Sequence, residues 1–374
     1  MSTSKINFEL NGEPVSVSTV AGMRFSRVLR EELGLIGTKV GCNAGDCGAC
    51  TILVDNKPVC ACMMAAQQAD GCNIETVEGL QSGRSVAKGN LQQSFLRYGA
   101  AQCGICTPGM IVVAEALLRR TPHPSEQQAE NAIGGVLCRC TGYRNIIRAI
   151  VNANVREEVP TPYPGPRTNS VGAPIVRLDG APKVAGSDLF AADDWPNDAL
   201  LARAIRSPYP HAAFSFGDLD EYVNETDGVV AIFTAKDVPG RNCFGVIPEF
   251  IDQPVFAESE TRFEGEAVAL VVGTADDIIT LDTSNLPITW QKLTDVITVT
   301  EAADERAPQL HIGRANNRLT GGHVKSGDVE SGFEAADVVV EGTFTTGFIE
   351  HAYIEPEAGF ARRVGDRIEV WACT

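Results

Sequence analysis

The chain has 374 residues, enough for two to four domains, and its 44% apolar and 21% charged content is ordinary for a soluble globular protein. Its 48 acidic against 31 basic residues give a net charge of −17, which argues against binding nucleic acid or docking on anionic lipid, because both need a basic face. The start MSTSKINFELNGEPV lacks the basic-then-apolar pattern of a secretion signal, and no run of 18 apolar residues marks a membrane span, so the expected location is cytoplasmic.

Residues 5–18 alternate apolar and polar through Ile6, Phe8, Leu10, Val15 and Val17, with Asn11-Gly12 between the two runs, which predicts a tight β-hairpin. Phe25, Val28, Leu29 and Leu33 follow helical spacing, and Gly34 is a helix stop. A glycine-rich cysteine loop follows, then a strand pair over Thr51–Asp55 and Lys57–Val59. The order describes a small α+β domain ending near residue 79. Residues 85–157 read as a small all-α domain of about four helices. Thr107 is expected as N-cap with Pro108 at the first helical position of a helix running through MIVVAEALLRR. Ser125 with Gln128 fits a capping box, and Asn145–Val155 reads as helical. The segment 159–169, VPTPYPGPRTN, has four prolines and a glycine and is a linker by composition. Beyond it, apolar runs such as Ala267–Val272 and Val338–Val340 suggest strands mixed with short helices.

Twelve cysteines are present, of which only Cys243 and Cys373 lie outside the stretch from Cys42 to Cys140. Disulfides stapling a secreted chain would be spread more evenly, so the crowding points to metal ligation. Those two outliers read as buried thiols. Cys42, Cys47 and Cys50 have the C-x4-C-x2-C spacing of a plant-type [2Fe–2S] site, in a loop where Gly41, Gly45 and Gly48 allow tight folding and N–H donation to sulfur. On spacing alone the fourth ligand is either Cys60 or Cys62. The second set, Cys103-x2-Cys106 with Cys138-x-Cys140, suits a second cluster, while zinc and a redox thiol pair stay open.

The residues around these cysteines are more specific. Gly41-Cys42, Cys47-Gly48-Ala49-Cys50-Thr51, Gln102-Cys103-Gly104-Ile105-Cys106-Thr107-Pro108-Gly109-Met110 and Leu137-Cys138-Arg139-Cys140-Thr141-Gly142-Tyr143 resemble the xanthine oxidase / aldehyde oxidoreductase family of molybdenum hydroxylases. The likeness spans nearly all of residues 1–157. More loosely, Asp179-Gly180, Lys183-Val184-Ala185-Gly186, Arg206 to Ala212 and Glu264 to Val268 resemble the family's α/β hammerhead domain. Gly327-Asp328-Val329 and Glu350 to Glu357 resemble the start of its molybdenum-cofactor domain.

The resemblance implies a multidomain α+β chain. A β-grasp plant-type ferredoxin domain is expected over 1–79, a four-helix [2Fe–2S] domain over 80–158 and a linker over 159–170. A hammerhead domain over 171–296 and the N-terminal part of a molybdopterin-binding domain over 297–374 complete the order. It implies Cys62 rather than Cys60 as fourth ligand of the first cluster, with Cys42, Cys47 and Cys50, and a second cluster on Cys103, Cys106, Cys138 and Cys140. The second cluster is expected nearer the molybdopterin and the first nearer the outgoing acceptor. Gln102 and Cys140 match pterin-contacting positions. Arg139 is expected to neutralise cluster charge or bond a partner chain, and His351 and Glu355 to be strand residues supporting the cofactor domain.

The family's activity is oxidation of an aldehyde or an electron-poor N-heterocycle with water. The glutamine expected after Trp371-Ala372-Cys373-Thr374, a GGxFGxK-like loop and a late glutamate base are missing from the sequence, so no catalytic residue is assigned here. The expected partner is a second molybdenum-subunit chain carrying those loops. No FAD segment lies between the iron–sulfur and hammerhead parts, leaving an FAD subunit or a cytochrome as acceptor. The contrasting reading is a stand-alone two-cluster electron carrier with a C-terminal docking module.

Overall fold

The computed structural model describes residues 3–80, 91–154 and 177–373, so the proline-rich 159–169 segment lies outside the described residues. The chain divides into two compact units, Met1–Pro196 with Thr346–Thr374, and Asn197–Thr345. No helix among the described residues is long and apolar enough to cross a membrane.

The first unit begins with the expected hairpin, β1 (Thr3–Leu10) and β2 (Glu13–Val20), in register from Thr3 opposite Val20 to Leu10 opposite Glu13. Asn11 and Gly12 both have positive φ, as a two-residue turn of this hand requires. Alternation sends Ile6, Phe8, Leu10 and Val17 into the core. The next segment is a short helix, α1 (Phe25–Arg27), continued by a π turn over Val28–Glu32, and Gly34 at φ +69° ends it. Phe25, Val28 and Leu29 are fully buried, and Phe25 meets Phe8 edge-on at 5.4 Å. After the cysteine loop come β3 (Thr51–Val54), β4 (Lys57–Cys60) and β5 (Asn73–Glu75). The sheet order is β2-β1-β5-β3-β4, with β1 and β5 parallel, which is the β-grasp arrangement expected.

A one-turn helix, α2 (Val77–Gly79), leads toward four helices, α3 (Leu91–Arg97), α4 (Thr107–Arg120), α5 (Glu126–Ile133) and α6 (Arg144–Val151). Met110, Ile111, Leu118, Ile133, Ile146 and Ile150 form their common core. The Ser125–Gln128 capping box is present in both directions. The start of α4 differs from expectation. Cys106 occupies the cap position and its carbonyl accepts from Met110 N–H at 3.0 Å, so the helix begins one residue early, Thr107 lies inside it and makes no cap bond. Arg119 ties α4 to the sheet through two bonds to Glu75, at 2.6 and 2.8 Å, with Glu115 and Asn56 completing its partners. The segment from residue 177 to Pro196 packs with this unit. Its helix α7 (Gly180–Ala185) carries Lys183, and Lys39 donates to Asp188 O at 2.7 Å and to Asp193 Oδ2 at 2.6 Å.

The second unit has two antiparallel three-stranded sheets. One is ordered β6 (Leu201–Arg206), β10 (Ala267–Gly273), β8 (Val229–Thr234), the other β11 (Ile288–Lys292), β7 (Ala212–Phe216), β9 (Glu260–Thr261). Helices α8 (Leu219–Glu225) and α9 (Ala275–Thr280) join strands, and Ile205, Phe214, Val268, Val271, Ile278 and Leu286 form the core. The strand expected over Ala267–Val272 is β10. Helices α10 (Val299–Ala303) and α11 (Val329–Glu334) follow, each opened by a side-chain cap. The strand expected at Val338–Val340 does not form. No strand of the described residues lies beside it to take its backbone hydrogen bonds, and Val340 is 87% exposed.

The C-terminal stretch belongs to the first unit and ends in a hairpin, β12 (Gly359–Val364) with β13 (Arg367–Ala372). His351 and Glu355 lie in an irregular stretch before it rather than in a strand, held by side-chain and backbone bonds described below.

Candidate metal centres

The first cysteine loop is shaped by its glycines. At Gly48, φ is +68° and a Cβ would stand 2.1 Å from the carbonyl oxygen of Gly135, so only glycine fits. A Cβ on Gly41 would meet Ile354 Cγ2 at 2.7 Å and Cys47 Sγ at 3.0 Å. The tight path aims backbone donors at sulfur, for Ala44 N–H and Cys47 N–H both donate to Cys42 Sγ at 3.3 Å. Burial raises the Cys42 thiol, but the amide donors outweigh it and bring it down to about 7. Burial first, then the neighbouring Cys62, push the Cys50 thiol up. Cys62 is buried, whereas Cys60 is half-exposed and its thiol lies 4.0 Å from Gly45 O.

The second set is brought together by the loop before α4 and the loop before α6. Cys140 is a close neighbour that helps raise Cys103, and Cys138 one that raises Cys106. Burial raises Cys103 to about 11. The neighbouring Cys106 thiol, with help from Thr141, lowers Cys138 to about 5 against burial. Thr141 Oγ1 is 3.2 Å from Cys138 Sγ, and Tyr143 turns into the left-handed region, φ +65°, where its hydroxyl accepts from Cys138 N–H at 2.9 Å. The stem of Lys183 covers Gly104 between the first two cysteines.

All four of these cysteines line one cavity of about 370 Å³, together with Ile105, Arg139, Tyr353, Ile354, Glu355, Glu357 and Cys373. Arg139 is exposed but bonded within the chain. It donates to the carbonyls of His351 at 2.6 Å and Glu350 at 2.8 Å, fixing the irregular stretch over the cysteines. Gln102 is exposed and does not line the cavity, whereas Cys140 does. Cys373 and Cys243 are half-exposed rather than buried, and Cys373 Sγ accepts from Ala358 N–H at 3.3 Å. The two cysteine sets are close neighbours, because Leu137 N–H donates to Cys47 O at 2.8 Å. Sequence reasoning missed Arg24, whose Nη1 donates to Asn43 O at 2.7 Å and Cys62 O at 2.8 Å. It also missed Ile354, Lys183 and Asp193. Their only sequence signal was position, since none is a ligand type in a ligand spacing.

The donor set fits a [2Fe–2S] cluster at each place. Each gathers four cysteines whose thiols lie close enough to shift a neighbour's titration, and a two-iron cluster takes four thiolates.

Comparison with known proteins agrees with this chemistry. Residues 8–75 match the 2Fe-2S iron-sulfur cluster binding domain and 76–151 the [2Fe-2S] binding domain. Residues 185–294 match the aldehyde oxidase and xanthine dehydrogenase a/b hammerhead domain, and 310–374 the molybdopterin cofactor-binding domain. The aldehyde oxidoreductase of Megalodesulfovibrio gigas is 31% identical over 376 residues, covering 94% of this chain and 41% of that relative. The nicotinate dehydrogenase small FeS subunit of Eubacterium barkeri is 46% identical over 150 residues, covering 40% of this chain and 94% of its own. The solved aldehyde oxidoreductase from Desulfovibrio gigas superposes with a TM-score of 0.88 at 29% identity, over 99% of this chain and 43% of that one. The chain thus spans about two fifths of the length of the aldehyde oxidoreductases it matches. Two iron–sulfur domains followed by a hammerhead and the opening of a molybdopterin domain, in one order and one fold, place this chain in the xanthine oxidase family of molybdenum hydroxylases.

Proposed function

We propose that this chain is the iron–sulfur and partial molybdenum component of a hydroxylase that oxidises an aldehyde or an electron-poor N-heterocycle with water and delivers the electrons to an external acceptor. The observation that carries the reading is the gathering of eight cysteines into two sets of four, the second lining one cavity with the 353–357 stretch. In this reading Cys42, Cys47, Cys50 and Cys62 hold the first cluster, and Cys103, Cys106, Cys138 and Cys140 the second. Among the described residues no group of three or more His, Cys, Asp or Glu is arranged around a single ion, which favours a two-iron core over zinc.

When bound, the molybdenum cofactor supplies a two-electron oxidation and the clusters relay its electrons singly. The residues of this chain prepare that path. Amide donors from Ala44 and Cys47 stabilise thiolate charge at Cys42, and Thr141 does so at Cys138. Arg139 fixes the 350–351 carbonyls, so Tyr353 to Glu357 form one wall of the cavity. Cys140, on the same cavity, and Gln102 are the residues assigned to the pterin. Cys42, exposed at the far set, faces the acceptor, an FAD subunit or a cytochrome. A second chain with the remaining cofactor loops completes the active site, in the cytoplasm.

Metal analysis of the complex purified from its source tests this. About four irons per chain, with stoichiometric molybdenum and substrate oxidation, are expected. Four irons without molybdenum would leave a two-cluster electron carrier instead.

A further inference from the structure

Arg24 lies outside every cysteine motif, yet its guanidinium sits at the junction of two stretches that carry the first cysteine set. Backbone bonds fix its base. Phe25 N–H donates to Met64 O at 2.8 Å, Ala66 N–H donates to Met23 O at 2.8 Å, and Arg24 itself bridges to Ala65. From there Nη1 donates to the carbonyl of Asn43 at 2.7 Å and to that of Cys62 at 2.8 Å. Asn43 has φ +53°, a strained setting that this bond helps to hold.

The peptide joining Asn43 to Ala44 is a rigid plane. Its carbonyl end accepts from Arg24, and its N–H end donates to Cys42 Sγ at 3.3 Å. A guanidinium at one end of that plane orients the N–H at the other and polarises it, strengthening the donation to sulfur. The second bond holds the carbonyl of Cys62 itself. No carboxylate pairs with Arg24 among the described residues, so its charge is not cancelled locally. Both effects stabilise the more negative, reduced cluster.

We propose that Arg24 is a positioning residue that sets the reduction potential of the first cluster, acting through the Asn43–Ala44 peptide and the Cys62 carbonyl. The inference rests on the assignment of Cys42, Cys47, Cys50 and Cys62 to that cluster.

The test is a redox titration of the full chain in its native complex, followed by EPR, with the first-cluster wave identified by its disappearance in C50S. R24Q removes the charge and three of the five N–H donors. It is expected to disfavour reduction of the first cluster about tenfold, a fall of ~59 mV for a one-electron couple, leaving the second cluster unmoved. R24K, which keeps the charge, restores most of the shift. An unshifted first wave in R24Q, an equal shift of both waves, or an R24K that behaves like R24Q overturns the proposal. If R24Q loses the first cluster while R24K keeps it at the wild-type potential, the positioning role stands; loss of the cluster from both overturns it. If C50S removes neither wave, the ligand assignment fails instead, and that outcome is read separately from Arg24.

Discussion

The amide of Leu137 donates to the carbonyl of Cys47 at 2.8 Å, so one hydrogen bond joins the neighbour of Cys138 to a member of the first cysteine set. The approach depends on Gly48, next to Cys47, because a Cβ there would stand 2.1 Å from Gly135 O. G48A must push these backbones apart and also pay the left-handed strain, so it is expected to cost about 2 kcal/mol or more. Urea midpoints and iron content check it, and a variant with the wild-type midpoint and full iron contradicts the close approach.

The choice between Cys60 and Cys62 gives a cleaner contrast. Cys62 is buried beside Cys50, while Cys60 is half-exposed with its thiol 4.0 Å from Gly45 O. C62S is expected to lose about half the iron and one of the two EPR signals, and C60S to keep both. Iron quantification on both variants decides it, the opposite pattern reassigning the ligand.

Arg119 carries the contact between the sheet and α4. Its guanidinium pairs with Glu75 and with Glu115, which is fully buried. R119M removes the cation from two carboxylates in a half-buried setting and is expected to destabilise the fold by about 3 kcal/mol. Denaturant unfolding measures this, and a loss under ~1 kcal/mol would mark the pairs as surface-like.

Lys39 offers a test in pH. Burial holds its ammonium below the usual lysine value, against the opposing pull of Asp193. Between that lowered value and 10.5 the unfolded chain holds more protons than the folded one, so folding gains stability as pH rises through this window. K39M lacks the titrating group and lacks the gain. Urea midpoints of wild type and K39M at pH 7 and pH 10 should therefore diverge in favour of wild type at pH 10; a gap equal at both pH values removes burial as the dominant influence.

Much of this was legible from local chemistry. The β1–β2 hairpin followed from alternation and Asn11-Gly12, and α5 from Ser125 with Gln128, because both signals act within a few residues. The cysteine spacing indicated the first set but left Cys60 and Cys62 equal; the family resemblance favoured Cys62, which the fold buries while Cys60 stays half-exposed. What stayed hidden depends on distant partners. Arg24 matters through Asn43 and Cys62, and Arg139 through carbonyls more than two hundred residues away. Thr107 looked like a cap by residue type, but the Cys106 carbonyl had already begun the helix. Val338–Val340 read as a strand by composition, and a strand needs a neighbour that the described residues do not supply.

The stretch from residue 177 to Pro196 has a practical consequence for anyone trimming this protein. Cutting the chain after the last helix of the iron–sulfur part, at the proline-rich segment, is a natural way to prepare the redox portion alone. It would remove Asp188 and Asp193 from a lysine that is only 1% exposed, and strip the Lys183 stem from Gly104. The shortened piece would show water a charge it normally hides and open the backbone between Cys103 and Cys106. A trimmed form that keeps its colour in storage should extend through Pro196.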